Sequence, residues 1–196
     1  MITMNKVFDQ DFNLALFDYN DEEILNEGVK RYHSGDYESA IEYYRIAAAM
    51  GNVTAQSNLG YCYYYGRSVT VDYTIAYAYF ELAAQCYDIN ATYKLGDFYM
   101  KGKVVEKDPF TALTYYFKAY DLAKDEQDEF AYPDICLRLG KLFLGEENLL
   151  VVNYEKAAHF LEEAVKGFEK RRGVDQFSVE LYEISERLLE KAKQKG

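Results

Sequence analysis

A segment of about 36 residues recurs along this chain, and the repetition limits its possible folds more than any other feature. Small residues mark the recurrence. Two series share it: Ala40, Ala76, Ala112 and Ala157 in one, and Gly28, Gly60, Gly96 and Gly140 in the other. Periods of this length are typical of repeat architectures, in which each unit is one supersecondary element. The sequence therefore predicts an array of similar units.

Each of the two middle units contains two helical stretches joined by a loop. The first stretch ends at a glycine, Gly66 or Gly102, and the second begins after an aspartate, Asp72 or Asp108. Aspartate is a favoured helix N-cap, and Pro109 suits the first position of a helix, where a missing N–H costs nothing. We therefore expect a helical hairpin in each unit and no β-strand.

The small residues predict how the two helices of a hairpin cross. Gly28 and Ala40 have almost no side chain, so the two helix axes can approach closely at that point. Tyr44 would then fill the space beside the crossing, because protein interiors are close-packed.

These units resemble two related repeat families. The first unit resembles a tetratricopeptide repeat at Gly28, Tyr32, Gly35, Asp36, Tyr37, Ala40, Tyr44 and Ala47. The second and third resemble Sel1-like repeats, which have a longer loop between their helices. The glycine precedes the alanine by 12 residues in the first unit and by 16 in the next two. The fourth unit resembles a degenerate copy.

The resemblance implies an all-α fold, a right-handed α-α superhelix of about four hairpins at residues 21–52, 53–88, 89–133 and 134–172. A further helix from about residue 175 is predicted to cap the last hairpin with one apolar side, formed by Phe177, Leu181, Ile184 and Leu188. Within the N-terminal segment 1–20, residues 7–17 are strongly apolar. We expect them to dock on the first hairpin or in the groove of the superhelix.

Composition excludes several classes of function. A net charge of −11 argues against nucleic acid, because that affinity depends on Lys and Arg. The chain lacks an apolar run of about 18 residues, so no membrane span is predicted. Its start lacks a basic end followed by a continuous apolar stretch, which predicts a cytoplasmic protein. Cys62, Cys86 and Cys136 have no metal-site spacing, and we expect all three to be buried and reduced.

The sequence carries no set of residues suited to catalysis. His33 and His159 lie in different units, and neither has a Cys, Asp or His at metal-ligand spacing. Neither of the glycine-rich phosphate-binding motifs occurs. The expectation is a protein that is not an enzyme and that needs no cofactor and no metal.

The resemblance also implies where a partner would bind, because the first helix of each hairpin lines the concave side of such repeats. The matching positions are Leu25, Val29, Tyr32, Ser57, Tyr61, Tyr64, Tyr93, Asp97, Met100, Leu137, Lys141 and Leu144. Tyrosine and methionine are enriched at protein interfaces. For each residue the alternative is packing against a neighbouring hairpin. Recognition is predicted to centre on Tyr61, Tyr64 and Tyr93.

Two functions fit this surface. The first is an adaptor that binds a peptide or helix of a partner protein in the concave groove, the partner being apolar with a basic residue that meets Asp97. The alternative is binding of a carbohydrate or cell-wall fragment, with Tyr61, Tyr63, Tyr64 and Tyr65 stacking on sugar rings.

Overall fold

The computed structural model of the chain describes residues 20–145, 152–174 and 176–196. These residues form nine α-helices and contain no strand. The helices are α1 (Asp21–His33), α2 (Tyr37–Ala49), α3 (Val53–Tyr65), α4 (Tyr73–Gln85), α5 (Ile89–Lys101), α6 (Pro109–Asp125), α7 (Ala131–Leu144), α8 (Tyr154–Arg171) and α9 (Gln176–Lys195). The apolar segment 7–17 lies outside the described residues.

Most of the helices begin after a residue whose side chain caps the helix N-terminus, as was predicted for the two aspartates. The Asp72 carboxylate accepts hydrogen bonds from the backbone N–H groups of Thr74 and Ile75 at the start of α4. Asp108 caps α6 in the same way, and Pro109 takes the first helical position. These side chains satisfy N–H groups that have no partner inside the helix, which confirms both predicted N-caps.

Residues 126–130, which precede the fourth hairpin, form a short turn. Helix α6 ends at Asp125, and the Asp128 side chain then accepts hydrogen bonds from the N–H groups of Phe130 and Ala131 in the turn that leads into α7. Helix α7 therefore begins three residues before the predicted start of the fourth hairpin at residue 134. The hydrogen bonds to Asp128 stabilise the turn immediately before this earlier start.

The longer loop inside the second and third hairpins has one backbone conformation despite different sequences. Gly66 and Gly102 adopt positive φ angles of 71° and 64°, which end α3 and α5. Each loop closes with a hydrogen bond from the backbone N–H of the capping aspartate to a carbonyl in the preceding helix. Asp72 donates to Tyr63 at 3.0 Å, and Asp108 donates to Tyr99 at 2.9 Å. The two loops therefore connect their helices in the same way.

Two compact units divide the chain, Met1–Ala91 and Thr92–Gly196, so the boundary lies within α5. In unit 1, α1 packs on α2, α2 on α3 and α3 on α4. A cluster of buried side chains forms its core: Ala40, Ile41, Tyr44, Leu59 and Cys62. In unit 2, α7 packs on α6 and α8, and α9 covers α8.

The predicted close approach at the small residues is confirmed in every hairpin. A Cβ atom added to Gly28 would lie 2.8 Å from the Tyr44 ring, which occupies the space beside the crossing. The residue four positions after the alanine of the second helix takes this place each time. The corresponding pairs are Gly60 with Phe80, Gly96 with Tyr116 and Gly140 with Leu161.

A second recurring contact joins the two helices of the later hairpins. The residue three positions after the glycine stacks on the residue three positions after the alanine. Tyr63 stacks on Tyr79 with ring centroids 6.0 Å apart, Tyr99 on Tyr115 at 5.6 Å, and Phe143 on Phe160 at 5.8 Å. Many of the 21 tyrosines are thus repeat-internal packing residues.

The prediction that all three cysteines are buried is wrong for one of them. Cys62 and Cys136 are buried, whereas Cys86 is exposed. Cys86 is the C-cap residue of α4 and belongs to the turn after it, so its side chain does not lie on the apolar side of that helix.

Thiol alkylation of the native protein is expected to modify Cys86 alone. Burial raises the pKa of the Cys62 thiol to about 11 and that of Cys136 to about 12, so both lack the reactive thiolate as well as access. Mass spectrometry after iodoacetamide treatment should show one label in the native protein and three in urea. Native labelling of Cys62 or Cys136 at a rate similar to that of Cys86 would contradict the packing described.

Candidate binding site

The predicted binding residues of α1 lie at the side of the unit 1 core. Leu25, Val29 and Tyr32 are half-buried and pack against the cluster that contains Ala40 and Leu59. Their burial agrees with the alternative given in the sequence analysis, in which these residues pack against neighbouring helices.

Three tyrosines of α3 form an aromatic surface on unit 1, here called the α3 tyrosine face: Tyr61, Tyr64 and Tyr65. Tyr61 is half-buried and Tyr65 is 54% exposed. Their rings are nearly parallel, with an interplanar angle of 6° and centroids 6.2 Å apart. Tyr64 is buried and meets the Tyr65 ring edge-on at 4.9 Å. The face therefore offers two aligned rings supported by a third.

Tyr63 belongs to a different side of α3. It stacks on Tyr79, and its hydroxyl lies 3.0 Å from Arg45 Nη2, which donates a hydrogen bond to it. Ser57, also predicted to face the partner, is buried and donates a hydrogen bond to Asp88 at 3.0 Å. The four tyrosines suggested for sugar stacking thus do not share one surface.

In unit 2, the predicted residue Asp97 is the centre of a buried charge cluster. Its side chain is almost completely buried, and both carboxylate oxygens accept hydrogen bonds from Arg138, at 2.7 Å from Nε and 2.9 Å from Nη2. The Tyr116 hydroxyl donates to the same carboxylate at 2.8 Å, and Lys94 Nζ lies 3.6 Å away. Bidentate pairing with arginine is among the strongest side-chain interactions.

These contacts fix the ionised form of Asp97. Burial alone would raise the pKa of this carboxyl, but the charge and hydrogen bonds of Arg138, helped by Lys94 and Tyr116, hold the pKa well below its usual range. Asp97 is therefore a structural charge of unit 2. Its predicted contact with a basic residue of the partner is replaced by an internal contact with Arg138.

Tyr93 also has a structural role in this cluster. Its side chain is buried, and the Arg138 guanidinium lies 4.6 Å from the centroid of its ring. This is a cation–π contact, which holds the guanidinium in place against Asp97. Tyr93 therefore supports the charge cluster, as Tyr64 supports its neighbours on α3.

Four of the predicted residues meet at one cavity of about 210 Å³ in unit 2. We call it the α5–α7 cavity, and its lining is Asp97, Met100, Lys101, Tyr116, Asp134, Leu137, Arg138, Lys141, Leu142 and Leu181. The predicted members are Asp97, Met100, Leu137 and Lys141. Met100 and Leu137 are buried, whereas Lys141 is half-buried. Leu144, predicted beside them, is also buried.

Sequence reasoning missed Arg138, and it named Tyr65 only for the alternative of sugar stacking. A signal for Arg138 was present, because it is a charge between Leu137 and Leu139 in the middle of α7, and a charge among apolar residues needs a partner. No sequence signal separated Tyr65 from the other tyrosines of α3.

The described residues offer no side-chain arrangement suited to a metal. In the described part of the chain, no group of three or more His, Cys, Asp or Glu side chains could hold a metal ion. His33 and His159 are both exposed. Across the same residues, none of the helices has the length and apolar character that a membrane span requires.

Comparison with protein families identifies the repeat. The protein-family model described as "Sel1 repeat" matches residues 12–52, 53–88, 89–124 and 133–167, which together make up most of the chain. The chain belongs to the Sel1 repeat family. The match includes the first hairpin, although its shorter loop resembles a tetratricopeptide repeat. Sel1 repeat proteins generally act as non-catalytic scaffolds for protein interactions.

Solved structures show the same fold. One is c5321, a protective antigen present in uropathogenic Escherichia coli strains and displaying an SLR fold, with a TM-score of 0.66 and 22% identity over 93% of this chain. Another is a Sel1 repeat protein from Oxalobacter formigenes, with a TM-score of 0.60 and 22% identity over 82% of this chain and 69% of its own. The present chain spans 40% of c5321.

These likenesses confirm the predicted all-α solenoid of helical hairpins. The predicted C-terminal helix is present as α9, but of its predicted apolar side Leu188 is buried whereas Phe177 is 73% exposed. No curated protein matches the chain.

Proposed function

We propose that this Sel1 repeat protein is an adaptor that binds a peptide or helix of a partner protein, and that the α3 tyrosine face is one of its contact surfaces. The observation that supports this is the parallel, partly exposed pair Tyr61 and Tyr65. Tyrosine offers a large rigid contact area with a polar tip, and it loses little conformational entropy on binding.

The chemical character of the chain agrees with a protein partner. A net charge of −11 disfavours a phosphate backbone as ligand. The proposal places the protein in a reducing, cytoplasmic setting, which its three unpaired cysteines support. A basic residue on the partner is no longer part of the proposal, because Arg138 already neutralises Asp97.

Replacing Tyr61 and Tyr65 by alanine is expected to weaken partner binding by about tenfold or more, since each aromatic contact contributes on the order of 1 kcal/mol or more. The measurement is affinity capture from the native cell extract with quantitative mass spectrometry, followed by titration of the retained protein. Tyr65→Ala alone should give part of the effect.

The control is Glu42→Ala with Glu81→Ala, two carboxylates on the second helices α2 and α4 that are not members of the α3 tyrosine face. Circular dichroism must show that both double variants keep their helix content. Wild-type affinity in a folded Tyr61→Ala, Tyr65→Ala variant would remove the α3 tyrosine face from the binding surface.

A further inference from the structure

A cavity of about 350 Å³ lies between α6, α7 and α8 in unit 2, and we call it the α6–α8 cavity. Its apolar floor is formed by Ala123, Tyr132, Pro133 and Gly167. Ala123 and Pro133 are buried, and the Tyr132 hydroxyl donates a hydrogen bond to the Tyr120 hydroxyl at 3.3 Å. A Cβ atom at Gly167 would lie 2.6 Å from Pro133, so the glycine lets α7 and α8 meet and close the floor.

Two ion pairs stand around this floor. Lys166 Nζ lies 2.8 Å from the Glu163 carboxylate, and Lys170 Nζ lies 2.8 Å from the Glu129 carboxylate. The second pair joins two walls of the cavity, because Lys170 belongs to α8 and Glu129 to the turn before α7. Both of its side chains are mostly exposed, so water screens the pair and it contributes little to stability. We therefore expect that this pair can be altered without loss of the fold.

The other two charged groups of the lining have contacts of their own. Asp128 accepts hydrogen bonds from the backbone N–H groups of Phe130 and Ala131, and Lys124 Nζ lies 5.4 Å from the centroid of the Tyr120 ring. Three lysines and three carboxylates line the cavity, so the net charge of its lining is zero. A charged ligand would have to lose its water and compete with these contacts, whereas an uncharged group only covers them. The lining therefore selects against both signs of charge.

The size of the cavity suits a large side chain together with the backbone that carries it. An engineered apolar cavity of about 150 Å³ already holds benzene, and the α6–α8 cavity is more than twice as large. Phe130, which follows the lining residue Glu129, is 63% exposed, and its ring centroid lies 5.6 Å from Arg171 Cζ. The apolar surface thus continues past the lining, which favours a polypeptide segment over a compact molecule. An apolar centre surrounded by weak polar contacts is also typical of the anchor points of protein interfaces.

We propose that the α6–α8 cavity binds an uncharged aromatic or aliphatic side chain of a partner segment, whose backbone then crosses Phe130. The proposal rests on the proposed function, because the ligand is part of a partner protein. It adds a contact surface in unit 2 to the α3 tyrosine face of unit 1, and it gives the ion pairs of the lining a role in selecting the partner side chain by its charge.

Three capped phenylalanine derivatives test this proposal by NMR titration of the ¹⁵N-labelled full chain. Ac-Phe-NH2 is uncharged, its para-carboxy derivative is negative, and its para-aminomethyl derivative is positive. We expect Ac-Phe-NH2 to shift the amides of Ala123, Tyr132 and Gly167 and to bind about fivefold more tightly than either charged probe, because it leaves the ion pairs intact. Toluene supplies the same ring without peptide groups and should bind more weakly than Ac-Phe-NH2, because it does not extend to Phe130.

Single substitutions at the ion pair that joins the two walls should change the preference in opposite directions. Glu129→Gln leaves Lys170 without its carboxylate, so the para-carboxy probe should gain about fivefold relative to Ac-Phe-NH2. Lys170→Gln leaves Glu129 without its ammonium group, so the para-aminomethyl probe should gain instead. The matched control is Glu129→Lys with Lys170→Glu, which reverses the pair and should keep the order of affinities seen in the unaltered protein. Circular dichroism checks that each variant keeps its helix content.

Tighter binding of a charged probe by the unaltered protein would overturn the proposal, as would an unchanged order of affinities in both Glu129→Gln and Lys170→Gln. Tighter binding of toluene than of Ac-Phe-NH2 would assign the cavity to small apolar molecules and overturn it as well, and so would the absence of shifts at the cavity. Shifts confined to amides of the α3 tyrosine face would leave the proposed function standing without this site. If the cavity responds as expected while the Tyr61→Ala, Tyr65→Ala variant binds its partner normally, only the α3 tyrosine face is removed.

Discussion

Replacing Asp97 by alanine is expected to lower the free energy of unfolding by about 3–5 kcal/mol, the range measured when one partner of a buried ion pair is removed. The loss arises because Arg138 and Lys94 would remain in the interior without their carboxylate, and Tyr116 would lose the acceptor of its hydroxyl. Urea unfolding followed by circular dichroism measures the change.

An exposed ion pair with a similar N–O distance provides the control. Glu129 lies 2.8 Å from Lys170, but both side chains are mostly exposed to solvent. Water and salt screen such pairs, so Glu129→Ala should leave the unfolding midpoint almost unchanged. Equal destabilisation by the two substitutions would show that the burial of Asp97 has no energetic importance.

Replacing Gly96 by valine is expected to destabilise the third hairpin by about 3 kcal/mol, the upper end of the range for overpacked cores. A Cβ atom at this position would lie 2.6 Å from the Tyr116 ring and 3.2 Å from the Ala112 carbonyl oxygen. The ring cannot easily move aside, because its hydroxyl is hydrogen-bonded to Asp97 at 2.8 Å. Thermal or urea unfolding measures the loss.

Gly173 is the control for this substitution. A Cβ added there meets no atom within 4 Å, so Gly173→Val should leave stability nearly unchanged. If Gly96→Val were as stable as the parent protein, the glycine would not be required for the close approach of α5 and α6.

The fold could be predicted from the sequence because the same residue types recur at equivalent positions in several repeats. Gly60 and Gly96, with Ala76 and Ala112, gave the helix crossings, and Asp72 and Asp108 gave the helix starts. These are local features: a small residue permits close packing of two helices, and an aspartate caps the start of a helix. Their recurrence separates them from chance.

The candidate site was less predictable because it depends on contacts between hairpins. Asp97 and Arg138 are 41 residues apart, and no local pattern indicates that they pair. Likewise, Tyr61, Tyr63 and Tyr65 are alike in sequence, but the stacking of Tyr63 on Tyr79 turns it away from the other two. The orientation of a side chain on a helix depends on what its neighbours leave open, which spacing alone does not define.

The pairing of Asp97 on α5 with Arg138 on α7 also restricts how this chain could have been assembled from its repeats. Hairpins of one shape could in principle be exchanged, duplicated or deleted without loss of fit. Here the third hairpin brings a buried negative charge whose bidentate partner, Arg138, belongs to the following hairpin, whereas Lys94 of the same helix lies 3.6 Å from it. Inserting another hairpin between the two would bury Asp97 without Arg138, and removing the fourth hairpin would take away Arg138 together with the helix that covers Asp97. Although the repeats have similar shapes, we expect the third and fourth hairpins to be exchanged between proteins only together, because each contains one partner of this ion pair.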